Sequence, residues 1–226
     1  MTWVKICGIS DIASAIAATQ AGTDYLGVVF ASSKRQVSLE NALKIVAAVR
    51  QLDSPPQIVG VFVNQPTVEV KQIADYCQLD WVQLSGDEGW DYCQQIEIPL
   101  IKVFHIDANA RHAEIVTEIW KGYRCIIPPK QLICLLDSAV NGAYGGTGTP
   151  VNRQAVKAVA EKFSVMIAGG LTPDNVGELL QVIKPWGVDV SSGVETNGKK
   201  DIEKIKAFIE IVRRIDLEHT GGGHLG

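Results

Sequence analysis

Short apolar runs rich in β-branched residues alternate along the chain with longer stretches in which apolar positions recur every three or four residues. The runs are VKIC (4–7), YLGVVF (25–30), IVGVFV (58–63), WVQL (81–84), LIKVF (100–104), ICLLD (133–137), VMIAGG (165–170) and GVDVSS (187–192). Helical spacing falls between them, as in Asp11–Ala21, Leu39–Leu52, Val68–Cys77 and Thr172–Ile183. In the last of these, Thr172 suits an N-cap and Pro173 a first helical turn, where its missing N–H costs nothing. The runs are nearly continuous in apolar character, which predicts strands covered on both faces and therefore a parallel sheet clothed by helices. Eight such units in 226 residues predict an α/β protein, a single (β/α)8 TIM barrel.

An open doubly wound sheet is the rival arrangement. It predicts a G-x-G-x-x-G turn after the first strand, whereas Cys7-Gly8-Ile9 follows here, so its nucleotide-binding version loses support. Residues 120–136 hold two apolar runs, YRCII and LICLL, split by Pro128-Pro129-Lys130. The sixth strand thus has a competing piece in front of it. Residues 1–218 are expected to form the barrel domain and 219–226, ending GGGHLG, a flexible tail.

With 46% hydrophobic and 20% charged residues the chain can bury a sizeable core. A net charge of −4 supplies no overall basic field for nucleic acid or an anionic membrane, so any anionic ligand must be bound locally. The N-terminal MTWVKICGIS has no secretory character and no segment has membrane-spanning length, which predicts a cytoplasmic protein. The five cysteines (7, 77, 93, 125 and 134) are odd in number and lack C-x-x-C spacing. Neither a metal site nor a disulfide framework is expected.

Ligands of a closed barrel meet residues at the C-terminal ends of its strands. The polar or reactive residues there are Cys7, Arg35, Asn64, Ser85, Asp137 and Asp189. Alternation puts Lys5 and Cys7 on one face of the first strand, with Val4 and Ile6 opposite against the helices. Cys7 then points inward at the mouth, as an inert buried thiol or, given local positive potential, as a thiolate base. Asp137 closes the apolar run LICLLD; it is a turn-capping carboxylate or a general acid that keeps its proton at a dry edge. Two strand ends, Ala168-Gly169-Gly170-Leu171 and Val190-Ser191-Ser192-Gly193, offer backbone N–H groups to an anion, and as neighbours they suggest a phosphorylated small molecule. Gly145-Gly-Thr-Gly148 is a closing loop, a further set of donors or an ordinary Gly-rich loop.

Together Lys5-Ile-Cys-Gly-Ile9, Gly60-Val-Phe-Val-Asn64, Val82-Gln-Leu-Ser-Gly-Asp-Glu88, Leu135-Leu-Asp137, GGTG, AGGL and DVSSGVE resemble, in order, the motifs of phosphoribosylanthranilate isomerase. The resemblance covers nearly the whole chain. It implies a (β/α)8 barrel and a cofactor-free Amadori rearrangement of N-(5′-phosphoribosyl)anthranilate in tryptophan biosynthesis. It further implies Cys7 as general base, Asp137 as general acid, Arg35 facing the anthranilate carboxylate, and Gly169, Gly170, Ser191, Ser192 and Gly193 holding the phosphate. The expected partner is a phosphorylated aryl-aminosugar. Monomer and homodimer both stay open, and no metal, nucleic acid or membrane enters.

Three positions depart from the family pattern. Ser85 stands where histidine is usual, Gln36 follows Arg35 in place of an aromatic residue, and Thr149-Pro-Val-Asn-Arg153 replaces the usual sequence after GGTG. Two other readings therefore stand beside the isomerase: a diverged paralogue acting on another phosphosugar, and a non-catalytic barrel that binds a phosphate ligand.

Overall fold

The structure is a computed structural model and describes residues 1–106, 111–128, 130–137 and 153–221. Eight parallel strands close in sequence order: β1 Trp3–Cys7, β2 Tyr25–Val29, β3 Gln57–Phe62, β4 Trp81–Leu84, β5 Leu100–His105, β6 Leu132–Asp137, β7 Val165–Ala168 and β8 Gly187–Val190. β8 returns to β1 with Asp189 opposite Lys5. The helices between them are α1 Ile12–Gln20, α2 Leu39–Arg50, α3 Thr67–Tyr76, α4 Trp90–Gln95, α5 His112–Cys125, α6 Arg153–Ala160 and α7 Pro173–Val182, followed by α8 Ile202–Gly221. The predicted single (β/α)8 barrel is the observed fold.

Strand alternation sorts the core into two layers. Val4, Ile6, Leu26, Ile58 and Val82 face outward, packed with helix residues such as Ile45, Val70 and Phe208. Tyr25, Val59, Trp81, Ile101, Ile133 and Met166 fill the barrel interior. Burying a side chain of this kind contributes about 1.5–3 kcal/mol. The closure is also pinned at its seam. Asp24 accepts from Val4 N–H at 2.7 Å and from Arg213 at 2.8 Å, and the other Arg213 nitrogen donates to Thr2 C=O at 2.6 Å, tying α8 to the first strand.

The helix starts follow their caps. Asp11 accepts from Ser14 N–H at 2.8 Å, and Ser38 accepts from Asn41 N–H at 3.2 Å. YRCII, the competing run before the sixth strand, begins inside the last turn of α5 instead, and LICLLD alone supplies β6. α8 runs to Gly221, past the boundary at 218 drawn from sequence. One element has no counterpart in the strand pattern: after a short 3-10 turn (Ser192–Val194), β9 (Glu195–Thr196) and β10 (Lys199–Lys200) form a small antiparallel hairpin. Its signal was Asn197-Gly198, and both residues adopt the positive φ, 52° and 75°, of a two-residue hairpin turn.

Candidate active site

Cys7 ends β1 with its side chain inside the barrel, clustered with Val29, Ala31 and Val61. Room for it comes from its register partner Gly27. A Cβ at Gly27 would lie 2.8 Å from Cys7 Sγ and 3.2 Å from Lys5 Nζ, so the glycine in the middle of YLGVV marks a close approach. One step deeper, Lys5 Nζ lies 2.9 Å from Asp189 Oδ1, with side-chain exposures of 0% and 9%. Burial works against the Lys5 charge, but Asp189 and Cys7 together more than offset it and hold the ammonium above its ordinary value. Burial pushes the Cys7 thiol up as well, while the Lys5 and Lys200 charges oppose that rise. A thiolate at Cys7 requires positive potential nearby, and these two lysines are its sources.

The two glycine and serine turns meet. Gly169 and Gly170 have φ of 102° and 63°, conformations that L side chains rarely adopt. Gly193 is pressed so closely on the β7 turn that a Cβ there would sit 1.7 Å from Leu171 C=O. Asn175, in the first turn of α7, accepts from Thr172 N–H and donates to Gly170 C=O, each at 2.9 Å. The turns at the ends of β7 and β8 therefore form one fixed seam at the mouth.

Arg35 is engaged. Its Nε and Nη2 donate to the two carboxylate oxygens of Glu195 at 2.6 and 2.9 Å, and its stem runs so close over Gly8 that a Cβ there would lie 2.6 Å from Arg35 Cδ and 3.1 Å from Ser191 Oγ. Lys200 donates to the same Glu195 and to Ser191 C=O, both at 2.8 Å. Burial works to raise the Glu195 carboxyl, yet the hydrogen bonds from Arg35 and Lys200 hold it at about 2. Glu195 and Lys200 were not singled out from sequence. Their bonds anchor the hairpin after β8, whose Asn-Gly signal was available.

Other polar strand ends serve the scaffold. Asn64 (φ 54°) accepts from Asp87 N–H at 2.8 Å, and its own N–H donates to Glu88 at 2.7 Å. Glu88 is buried, takes a further bond from Gly86 N–H at 2.9 Å and pairs with Lys102 at 3.2 Å. Ser85 Oγ accepts from Gln83 Nε2 at 3.0 Å. Gln36 turns back on the barrel and donates to Phe30 C=O at 2.9 Å. At the Ser85 position, the imidazole comes from the next strand: His105 Nε2 lies 3.0 Å from Ser85 C=O, and its Nδ1 lies 3.9 Å from Asp137 Oδ2. Alternation along LIKVFH had the signal for this, since Ile101, Val103 and His105 share a face.

Asp137 ends β6 in register with His105 and Ala168, so the candidate acid borders the glycine turn on one side and an imidazole on the other. The GGTG loop lies outside the described residues, and of Thr149–Arg153 only Arg153 lies within them, opening α6. Among the described residues no group of three or more His, Cys, Asp or Glu is placed to hold a metal ion, and no helix is long and apolar enough to cross a membrane.

Residues 4–211 match the protein-family model for N-(5'phosphoribosyl)anthranilate (PRA) isomerase. A relative from Dehalococcoides mccartyi named N-(5'-phosphoribosyl)anthranilate isomerase is 44% identical over 216 residues, covering 96% of this chain and 98% of its own. The crystal structure of the phosphoribosyl anthranilate isomerase from Thermotoga maritima superposes with a TM-score of 0.80 at 33% identity, over 95% of this chain and all of that one. A crystal structure of a phosphoribosyl anthranilate isomerase in complex with reduced 1-(o-carboxyphenylamino)-1-deoxyribulose 5-phosphate superposes with a TM-score of 0.77 at 32% identity, over 95% and 100% of the two chains.

Proposed function

Because the chain belongs to the N-(5′-phosphoribosyl)anthranilate isomerase family, an enzyme of tryptophan biosynthesis, we propose that its barrel mouth performs this isomerisation with Cys7 and Asp137 as the acid–base pair. The reaction converts N-(5′-phosphoribosyl)anthranilate to 1-(2-carboxyphenylamino)-1-deoxyribulose 5-phosphate. Asp137 donates a proton to the ribose ring oxygen as the C1′–O bond breaks, leaving an iminium at C1′. The Cys7 thiolate then removes the C2′ proton, and the electron pair released neutralises the iminium to give an enolamine. When C1′ takes a proton and the C2′ hydroxyl gives one up, the ketone forms and both groups return to their starting states. Hydrogen moves within one molecule, so proton transfers alone balance the steps.

The observation that carries this reading is the setting of Cys7: an inward thiol at the mouth, fitted against Gly27 and flanked by two buried ammonium groups. Across the mouth, the seam between the β7 and β8 turns offers N–H groups from Gly169, Gly170, Ser191, Ser192 and Gly193 to the substrate phosphate. Arg35 reaches the same seam. With one edge of its guanidinium taken by Glu195, the nitrogen that Glu195 does not hold, Nη1, is left for the anthranilate carboxylate.

The test is the fluorescence decay of freshly generated phosphoribosylanthranilate on adding the protein, with the product checked by mass, beside Cys7→Ala and Asp137→Asn. Each variant is expected to fold and to lose about 10²–10⁴-fold in kcat. Wild-type rates in either variant would remove that residue from the mechanism.

A further inference from the structure

His105 and Asp137 are register partners at the ends of adjacent strands, and the chemistry of their neighbours restricts where protons sit. A carbonyl oxygen only accepts, so the 3.0 Å contact between His105 Nε2 and Ser85 C=O places a hydrogen on Nε2. That leaves Nδ1 as the ring atom facing the Asp137 carboxyl. A bare Nδ1 lone pair and a carboxylate oxygen repel one another, whereas one proton between them makes a hydrogen bond or an ion pair.

The Ser85 carbonyl is a firm anchor. Ser85 N–H donates to Phe62 C=O at 2.9 Å, and the next N–H, that of Gly86, donates to the buried Glu88, itself paired with Lys102. The imidazole is exposed at the mouth, 61% against 31% for the Asp137 side chain. The 3.9 Å gap is longer than a hydrogen bond, and catalytic contacts of this length commonly tighten when a ligand closes the site.

We propose that His105 is a positioning residue for the isomerisation: anchored on Ser85 through Nε2–H, it holds the Asp137 carboxyl and shares with it, at Nδ1, the proton delivered to the ribose ring oxygen. The proposal rests on the reading of Asp137 as the general acid. Once Asp137 has given up that proton, its carboxylate faces Nδ1. The proton later released by the C2′ hydroxyl returns to the pair.

The imidazole ¹⁵N spectrum at neutral pH tests the shared proton, with His105→Gln identifying the His105 signals among the four histidines. Nε2 is expected to resonate as protonated and Nδ1 to be displaced from the range of a bare ring nitrogen. Asp137→Ala should return Nδ1 to that range, and the same Nδ1 shift in both proteins overturns the proposal. Single-turnover kinetics give the second readout. His105→Gln is expected to lower the rate about 10- to 100-fold with KM changed less than about twofold, and added imidazole should restore part of the rate in His105→Gly. An unchanged rate, a loss confined to KM, or no imidazole rescue overturns the role. Asp137→Asn run alongside separates the two readings: if it is fully active the acid assignment fails, and if it is inactive while His105→Gln is normal only the role of His105 fails.

Discussion

Lys5 and Asp189, 184 positions apart in sequence, form an ion pair 2.9 Å long within the barrel, one layer beneath Cys7. The pair exists only because β8 closes on β1 in that register. Taking two charges out of water is costly, and a buried pair is tolerable mainly because each charge answers the other.

Lys5→Met should therefore destabilise the protein by about 3–5 kcal/mol, since it leaves the Asp189 carboxyl buried without its cation. Urea denaturation measures the loss. Joining Asp189→Leu to Lys5→Met should recover most of it while leaving Cys7 without its nearest positive charge, so the double variant should be stable and slow. A stable Lys5→Met single variant would show that the pair contributes little to the fold.

The reactivity of Cys7 toward alkylation should climb with pH. The reactive form is the thiolate, and burial holds the thiol above its ordinary value, so the thiolate fraction grows about tenfold per pH unit through the neutral range. The rate of Cys7 alkylation by iodoacetamide should rise in parallel, and inorganic phosphate should slow it. For stability the sign is opposite. A thiol raised in the folded state contributes fully below its unfolded value and loses that contribution as pH rises through the folded value. Alkylation that is fast and flat between pH 6 and 8 (about neutral on either side) would contradict the raised thiol.

Acid should loosen the hairpin after β8. Glu195 is held at about 2, below its unfolded value of about 4.3, so its contribution is fully present above that value and is lost as pH falls from about 4.3 toward 2. Glu195→Gln should cost about 2 kcal/mol at neutral pH, with allowance for solvent around the partly exposed Arg35. The cost should shrink across the same acid window, and thermal unfolding at about pH 7, above that window, and about pH 3, inside it, measures both.

Gly193→Ala should disrupt the seam between the β7 and β8 turns, because the added Cβ would lie 1.7 Å from Leu171 C=O. In the wild type, inorganic phosphate at about 100 times its Kd should add about 2.7 kcal/mol of stability. Gly193→Ala should lose that increment, as read by the phosphate dependence of Tm, and an intact increment would place the phosphate elsewhere.

What was legible in the sequence depended on distance along the chain. Strand periods, caps and the inward placing of Lys5 and Cys7 are local, so the barrel and the position of its inward thiol could be read from a few residues at a time. LICLLD against YRCII was resolved only by packing, since α5 carries the latter into its final turn. The ion-pair partners were not legible: Lys5 finds Asp189, and Arg35 finds Glu195, 160 positions away, only after the barrel closes. Two local signals went unread, the hairpin turn at Asn197-Gly198 and the continuation of the inward face from Val103 to His105. Both lie at the mouth, where hydrophobic pattern yields to a few polar residues.

The aromatic floor of the barrel makes the molecule spectroscopically divided. Trp3 stacks on Trp186 with centroids 5.2 Å apart, and Tyr25 meets Trp81 edge-on at 5.8 Å, so three of the five tryptophans crowd the end opposite the mouth where the strands finish. Cys7 lies four residue steps along β1 from Trp3, about 13 Å of strand, with packed side chains between. Indole emission from this cluster consequently reports the integrity of the closed sheet, while the anthranilate chromophore reports turnover at the other end, and the two signals can be followed in one cuvette as separate clocks for unfolding and catalysis.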